Sequence, residues 1–174
     1  MLNMYKLTRK ILLKEQAALA KYGDLVTAKV TSFYDDELAF CEFGAGLHGN
    51  VSLANYLHIK KAVYSIADIM QIGTTFKVKI DSEYSQSLFA LTTYQVDDYY
   101  TNLDLNSTVT GKVLKRVEDD MEHKYSYWFM ITPRIIGILK SNFPLGYGQI
   151  INARMHNQNE NFIKFRFVSY TDLS

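Results

Sequence analysis

One order of short segments occurs twice in this chain, and that repetition restricts its fold more than any single motif does. After residue 24 the sequence breaks into the runs LVTAKVTSF, LAFCEF, GNVSL, TFKVKIDSEY and SLFALTTY, separated by turn residues. Alternation with period two puts successive side chains on opposite faces of a sheet, so each run reads as a strand. From Ser107 the order returns as STVTGKVLKRVED, YSYWFMI, IIGILKS, YGQIINARM and NFIKFRFVSY. Phe40 and Trp128 lie 88 positions apart, as do Gly49 and Gly137, and Ser52 and Lys140. A constant offset across three landmarks marks two homologous units. It falls to 75 between Gly73 and Gly148, because the long stretch NYLHIKKAVYSIADIMQIG before the fourth strand shrinks to NFPLGYG in the second copy.

Five strands with a long connection between the third and the fourth is the plan of the oligonucleotide-binding barrel. The expected architecture is mainly all-β: two tandem five-stranded barrels, at 23–96 and 103–174, preceded by a short basic helix at 1–22. The helix rests on LTRKILLKEQAALAKYGD, in which Leu7, Ile11, Ala18 and Tyr22 share one face and Gly23 supplies the stop. A short helix or two is expected in the connection after the third strand.

Charge narrows the function. The net charge of +1 is low for a nucleic-acid binder, but it is unevenly spread. Residues 1–22 carry +4, residues 23–95 carry −3, Asp97 and Asp98 add −2, and residues 103–174 carry +2. A polyanion should therefore prefer the two ends of the sequence to its middle. A single cysteine, Cys41, excludes an intramolecular disulfide and a cysteine-rich zinc site, which makes a reducing cytoplasm the default compartment. No apolar run approaches the roughly 18 residues of a membrane span, and the charged start MLNMYKLTRKILLKEQ lacks a signal-peptide core. His48, His58, His123 and His156 show no metal-ligand spacing and are expected at the surface or in loops. Cys41 reads as a small strand residue rather than a nucleophile, and no glycine-rich loop is present to cradle a phosphate. No enzyme, cofactor, small-molecule substrate or membrane partner is indicated.

The most crowded stretch is YSYWFMITPRIIGILKS, Tyr125 to Ser141, with four aromatic residues in five positions. Tyr125, Tyr127, Phe129 and Ile131 can face one way and Trp128 and Met130 the other, so the second face is either covered by protein or a working surface.

Taken in order, these segments resemble the RNA-binding domain of ribosomal protein S-one. The first unit is similar through AKVTSF, ELAFCEF, GNVSLAN, QIGTTFKVKI and SLFALTTY; the second through GKVLKRV, YSYWFMITPRIIGILKS, YGQIINARM and FIKFRF. The resemblance covers about four-fifths of the chain. It implies single-stranded RNA bound by an exposed aromatic pair, a third-strand histidine and basic fifth-strand residues. In the first unit the leading aromatic becomes Glu37, the histidine Ser52, and the basic positions Leu88 and Ala90; Phe40 survives, with Tyr34 nearby. The second unit keeps Tyr125 and Trp128, places Lys140 at the histidine, and continues with Phe162, Lys164 and Arg166. Lys115, Arg116 and Arg134 extend the same set.

Physics supports that surface independently, since aromatic rings stack on any base and cations neutralise phosphates. Trp128 has a packing alternative, against the amino-terminal helix or the first unit. The primary expectation is a non-catalytic protein that binds single-stranded RNA on its second barrel. The alternatives are a protein-interaction module, docking through the helix or first barrel onto a translation, transcription or RNA-processing complex, and a binder of single-stranded DNA.

Overall fold

The structure, a computed structural model, describes residues 22–44, 46–85, 88–100, 103–118, 125–158 and 163–171. The expected helix at 1–22 and the candidate Phe162 lie outside the described residues, apart from Tyr22. Among the described residues, ten strands form two closed barrels. In the first, β1 (Leu25–Phe33), β2 (Leu38–Phe43), β3 (Leu47–Ser52), β4 (Thr75–Ser85) and β5 (Leu88–Thr92) run in the order β1-β2-β3-β5-β4, and β4 pairs back onto β1. In the second, β6 (Thr108–Arg116), β7 (Ser126–Thr132), β8 (Ile135–Lys140), β9 (Ile150–Gln158) and β10 (Ile163–Tyr170) repeat that order, with β9 returning to β6. Both have the strand order of the oligonucleotide-binding fold, in which the third and fifth strands pair in parallel.

The repeat extends to single hydrogen bonds. Before β4, the amide of Gly73 donates to Val30 and the carbonyl of Thr74 accepts from Val30; before β9, Gly148 and Gln149 bond Val113 in the same two ways. Gly73 and Gly148 hold φ of +91° and +83°, a backbone region open to glycine without steric cost. The second pair of matched glycines has a different cause. A Cβ on Gly49 would lie 2.8 Å from the Leu91 side chain, and one on Gly137 would lie 2.6 Å from the Phe165 ring. Glycine is needed there because the fifth strand, the parallel neighbour of the third, comes too close for a Cβ.

Each barrel has its own core. In the second, Tyr127, Phe129, Leu139, Ile151, Met155 and Phe165 are buried together, and the Phe129 and Phe165 rings meet edge to face at 5.2 Å. The amide of Leu145 donates to the Tyr127 hydroxyl at 2.9 Å, so this inward tyrosine keeps its polar tip satisfied. In the first, Val30, Cys41, Val51, Ile80, Phe89 and Leu91 are buried. Burial pushes the Cys41 thiol up to about 12, which leaves it protonated and unreactive at neutral pH. Asp35 serves the β1–β2 turn, its Oδ1 accepting from the Glu37 amide at 2.8 Å.

The connection from β3 to β4 holds the short helix α1 (Leu53–Tyr56) and two 3-10 turns, Lys60–Ala62 and Ile66–Asp68. By its contacts the chain forms two units that do not follow the sequence order. One is the chain up to Tyr56 with Ser65–Val96; the other is Leu57–Tyr64 with Asp97–Ser174. The eight residues Leu57–Tyr64 leave the first unit and return to it, yet belong structurally to the second.

Replacing Gly137 with Ala should drive a methyl group into the Ile163 carbonyl and the Phe165 ring and destabilise the second barrel by about 1–3 kcal/mol. Urea unfolding followed by Trp128 fluorescence will show this as a lower midpoint with an unchanged slope.

Candidate nucleic-acid interface

Strand register assigns the outward side chains of the second barrel. Ser126 on β7 lies opposite Lys140 on β8, Lys140 opposite Arg166 on β10, and Arg166 opposite Arg154 on β9. Residues paired in this way share one face, so Lys140, Arg166 and Arg154 form a cationic row across three adjacent strands, about 4.8 Å apart per step. The next outward row is Trp128, Ile138 and Lys164. Lys140 and Lys164 are half-buried, and Arg154 and Arg166 are exposed. Three cations singled out from sequence thus come together on one face. Arg154 was missed, because its strand carries no basic motif and only the β9–β10 register brings it into line.

His156 also belongs to this face. Between Lys164 and Phe165 the register slips by one residue, since Lys164 opposes Asn157 and Phe165 opposes Met155. His156 is the extra residue of that bulge. Contrary to the expectation of a surface or loop role, it sits in a strand, half-buried, and its Nδ1 is buried with no hydrogen-bond partner among the described residues. Desolvation lowers its pKa below the usual 6.5, and the charges of Arg166, Lys140 and Lys164 lower it further. The histidine therefore registers the convergence of the three cations.

The aromatic half of the expected surface is arranged differently. Trp128 does face away from the core cluster of Tyr127 and Phe129, but it is only 4% exposed. The Nζ of Lys61 lies 5.2 Å above its ring. Trp128 is thus covered rather than an open stacking platform, and Leu57–Tyr64, part of the same unit, contributes to the cover. That segment is fixed by the His58 amide donating to the Pro133 carbonyl at 2.8 Å and the Tyr64 amide donating to the Tyr147 hydroxyl at 3.3 Å. The Tyr64 and Tyr147 rings also meet edge to face at 5.1 Å.

Tyr125 needs a second correction. It shares the alternation of Tyr127 and Phe129, is half-buried, and packs against the core cluster, while its carbonyl accepts from Ser141 at 3.1 Å. It does not lie on the outward row with Trp128. Arg134 sits in the β7–β8 turn, and Lys115 and Arg116 end β6, where they line a hollow of about 300 Å³ with Lys61, Val117, Glu118 and Trp128.

In the first barrel the row matching Trp128, Ile138 and Lys164 is Phe40, Asn50 and Ala90, which contains no cation, while beside it Lys79 on β4 lies opposite Thr92 on β5. Phe40 is half-buried and meets the 71%-exposed Tyr34 edge to face at 6.1 Å. Ser52, at the histidine position, accepts from the Asn55 amide at 3.1 Å and so caps the start of α1. The exchange of Leu57–Tyr64 also redistributes charge. Without Lys60 and Lys61, residues 23–56 and 65–96 hold three basic and eight acidic side chains, a formal −5. With them, the second unit rises from 0 to +2. The two lysines in the middle of the sequence therefore belong to the unit that carries the cationic row.

Among the described residues, no group of three or more His, Cys, Asp and Glu side chains is placed to hold a metal ion. No described helix is long and apolar enough to cross a membrane.

No protein-family description matches the chain, and no curated protein does. Several solved structures are similar. One is the complex of a/eIF2alpha, aDim2p and rRNA from Pyrococcus horikoshii, at 19% identity over 44% of this chain and 45% of that one, with a TM-score of 0.39. Another is GSP13 from Bacillus subtilis, at 19% identity over 48% of this chain and 63% of that one, TM-score 0.40. A third is a multidomain protein with nucleic acid binding domains from Streptococcus pneumoniae, at 15% identity over 89% of this chain and 53% of that one, TM-score 0.41. The chain covers less than two thirds of each of these three.

Two predictions follow from the site's electrostatics and packing. In an NMR titration His156 should have a midpoint below 6.5, and Lys140→Met should move it upward. Because the depressed value makes the unfolded chain bind the proton first, His156 costs stability as pH falls from the unfolded value through the folded one, and costs nothing above that window. Truncating Trp128 to Ala should destabilise the second barrel by about 3–5 kcal/mol, the usual loss for a buried large aromatic, as read by urea unfolding monitored by circular dichroism.

Proposed function

We propose that the second barrel binds single-stranded RNA along the outward face of β7, β8, β10 and β9. The observation that carries this reading is the row Lys140–Arg166–Arg154, with Lys164 in the adjacent row. Cations at successive strand spacings suit a chain of phosphates, whose neutralisation releases counterions. Half-burial of Lys140 and Lys164 limits their hydration and fixes their positions, so less side-chain freedom is lost when phosphate binds. In this reading phosphate contact supplies most of the affinity, and Trp128 contributes stacking only where Lys61 leaves its ring. Single-stranded DNA would meet the same row, and a contact to the ribose 2′-hydroxyl is what would separate the two.

The first barrel has a different role. Its formal −5 and a Phe40–Asn50–Ala90 row without a cation support a protein partner, with the exposed Tyr34 and the half-buried Phe40 as the aromatic contact. The protein acts in this reading as a non-catalytic adaptor in the cytoplasm, one barrel on RNA and the other on protein.

Fluorescence anisotropy of a labelled single-stranded RNA, measured over a series of salt concentrations, tests the assignment. Arg166→Ala and Arg154→Ala should each weaken binding and flatten the slope of log K against log salt by about 0.7, one phosphate contact apiece. Tyr34→Ala should leave both quantities unchanged. Unaltered affinity in a folded Arg154→Ala, Arg166→Ala double variant would remove the face from consideration.

A further inference from the structure

We infer that Thr110, Asn152 and Ser169 form a hydrogen-bonding ladder beside the cationic row that contacts the ribose 2′-hydroxyl and so selects RNA over DNA. The ladder serves the Lys140–Arg166–Arg154 row, so its role rests on the RNA reading of that row, and what it adds is the choice of sugar.

Strand register places the ladder. Asn152 lies two residues from Arg154 on β9 and so shares its outward face, about 7 Å along the strand. It stands opposite Thr110 on β6 and Ser169 on β10. Ser169 is three positions from Arg166, an odd number that would turn it inward in a regular strand. It faces outward because the register slips between Phe167 and Ser169, with Val168 as the extra residue. The outer face thus carries three parallel rows. They are Trp128, Ile138 and Lys164; then Lys140, Arg166 and Arg154; then Ser169, Asn152 and Thr110. A strand whose phosphates follow the middle row has its sugars to one side of it. On one side Trp128 is only 4% exposed beneath Lys61. On the other, Thr110 and Ser169 are exposed and Asn152 is half-buried.

Two bonds hold the ladder in place before any ligand arrives. Thr110 Oγ1 donates to Asn152 Oδ1 at 2.7 Å, and Asn152 Nδ2 donates to Ser169 Oγ at 3.1 Å. The amide is therefore oriented, and little side-chain freedom remains to be lost on binding. Each rung keeps unused valence: the Thr110 oxygen can still accept, Asn152 has a second N–H, and the Ser169 hydroxyl still has its own proton to donate. A 2′-hydroxyl both donates and accepts, so it can bond an acceptor and a donor of neighbouring rungs together. A phosphate oxygen only accepts, and the C2′ of deoxyribose does neither. At the matching positions of the first barrel, Thr27 on β1 faces Lys77 on β4. The amide rung thus belongs to the barrel that carries the cationic row.

Three labelled oligomers of one length are titrated against the full-length protein by fluorescence anisotropy: oligouridine, oligodeoxyuridine and 2′-fluoro-oligouridine. Base and charge are the same in all three, and the fluoro form keeps a ribose-like pucker without the hydroxyl. Oligouridine should bind about fivefold more tightly than either of the others, the worth of about one net hydrogen bond. Asn152→Ala and the shape-conserving Thr110→Val should bring oligouridine down to the value of the other two. Affinity for those two, and the slope of log K against log salt, should stay at the parent values, because no phosphate contact is lost. A urea transition of unchanged slope shows that each variant is folded.

Equal affinity of the parent for oligouridine and oligodeoxyuridine, or a preference that persists in both variants, overturns the ladder as the sugar contact and leaves the cationic row standing. So does tight binding of the fluoro form, which would mean that pucker is read and not the hydroxyl. Variants that weaken all three oligomers alike make the ladder a structural support and overturn its selective role. Failure of the parent to bind any of the three at low salt removes the RNA reading and the ladder's role with it.

Discussion

The parallel pairing of β8 with β10 is the constraint on which the second barrel and its surface depend. It closes the barrel, and it does so only because Gly137 has no side chain where the Ile163 carbonyl and the Phe165 ring come in. On the inner side of the same pair, Leu139 and Phe165 enter the core. On the outer side, Lys140 comes to lie beside Arg166. One close backbone approach therefore sets both the packing that holds the barrel together and the spacing of the charges it displays. The first barrel has the same approach at Gly49, where the neighbour is the Leu91 side chain, and its third and fifth strands carry no cation. Closure and charge are thus separable: the two units share the backbone solution and differ in what they mount on it.

Much of this could be read in advance. The repeated order of runs contained ten strands and two barrels, because strand alternation and turn residues are local properties. Glycines marked the positions at which backbone geometry admits little else. Lys140, Lys164 and Arg166 were accessible for the same reason, since each follows from its place in a strand whose inward residues are apolar. Tyr125 was misplaced on the outward surface although its alternation with Tyr127 and Phe129 already put it on the inner one. Counting positions was the better guide there than matching a pattern.

What stayed hidden was set by pairing and by chain path. Arg154 and His156 join the cationic face through the β9–β10 register and its one-residue slip, which no run of residues within β9 announces. Trp128 has an outward position but a covered one, and part of its cover comes from residues 67 positions earlier. Charge summed along the sequence assigned Lys60 and Lys61 to an acidic middle, when in space they belong to the other unit. Sequence order is a sound guide to elements and a poor one to surfaces, because a surface gathers whatever the path brings to it.

The excursion of Leu57–Tyr64 has a consequence for the order in which the protein can be completed. Synthesis runs from the amino terminus, and domains commonly fold as they emerge. All five strands of the first barrel are made before β6, so that barrel can close while its β3–β4 connection still has nothing to lie against. Ala62, buried in the finished protein within the turn that packs on β6, would meanwhile lack that partner, and Lys61 would lack its aromatic seat. Only when β7 and the Tyr147 loop have left the ribosome does that segment find its place. The nascent chain thus carries a temporary sticky stretch for the time it takes to make some seventy to ninety further residues, an interval in which a chaperone or a neighbouring nascent chain would compete for it.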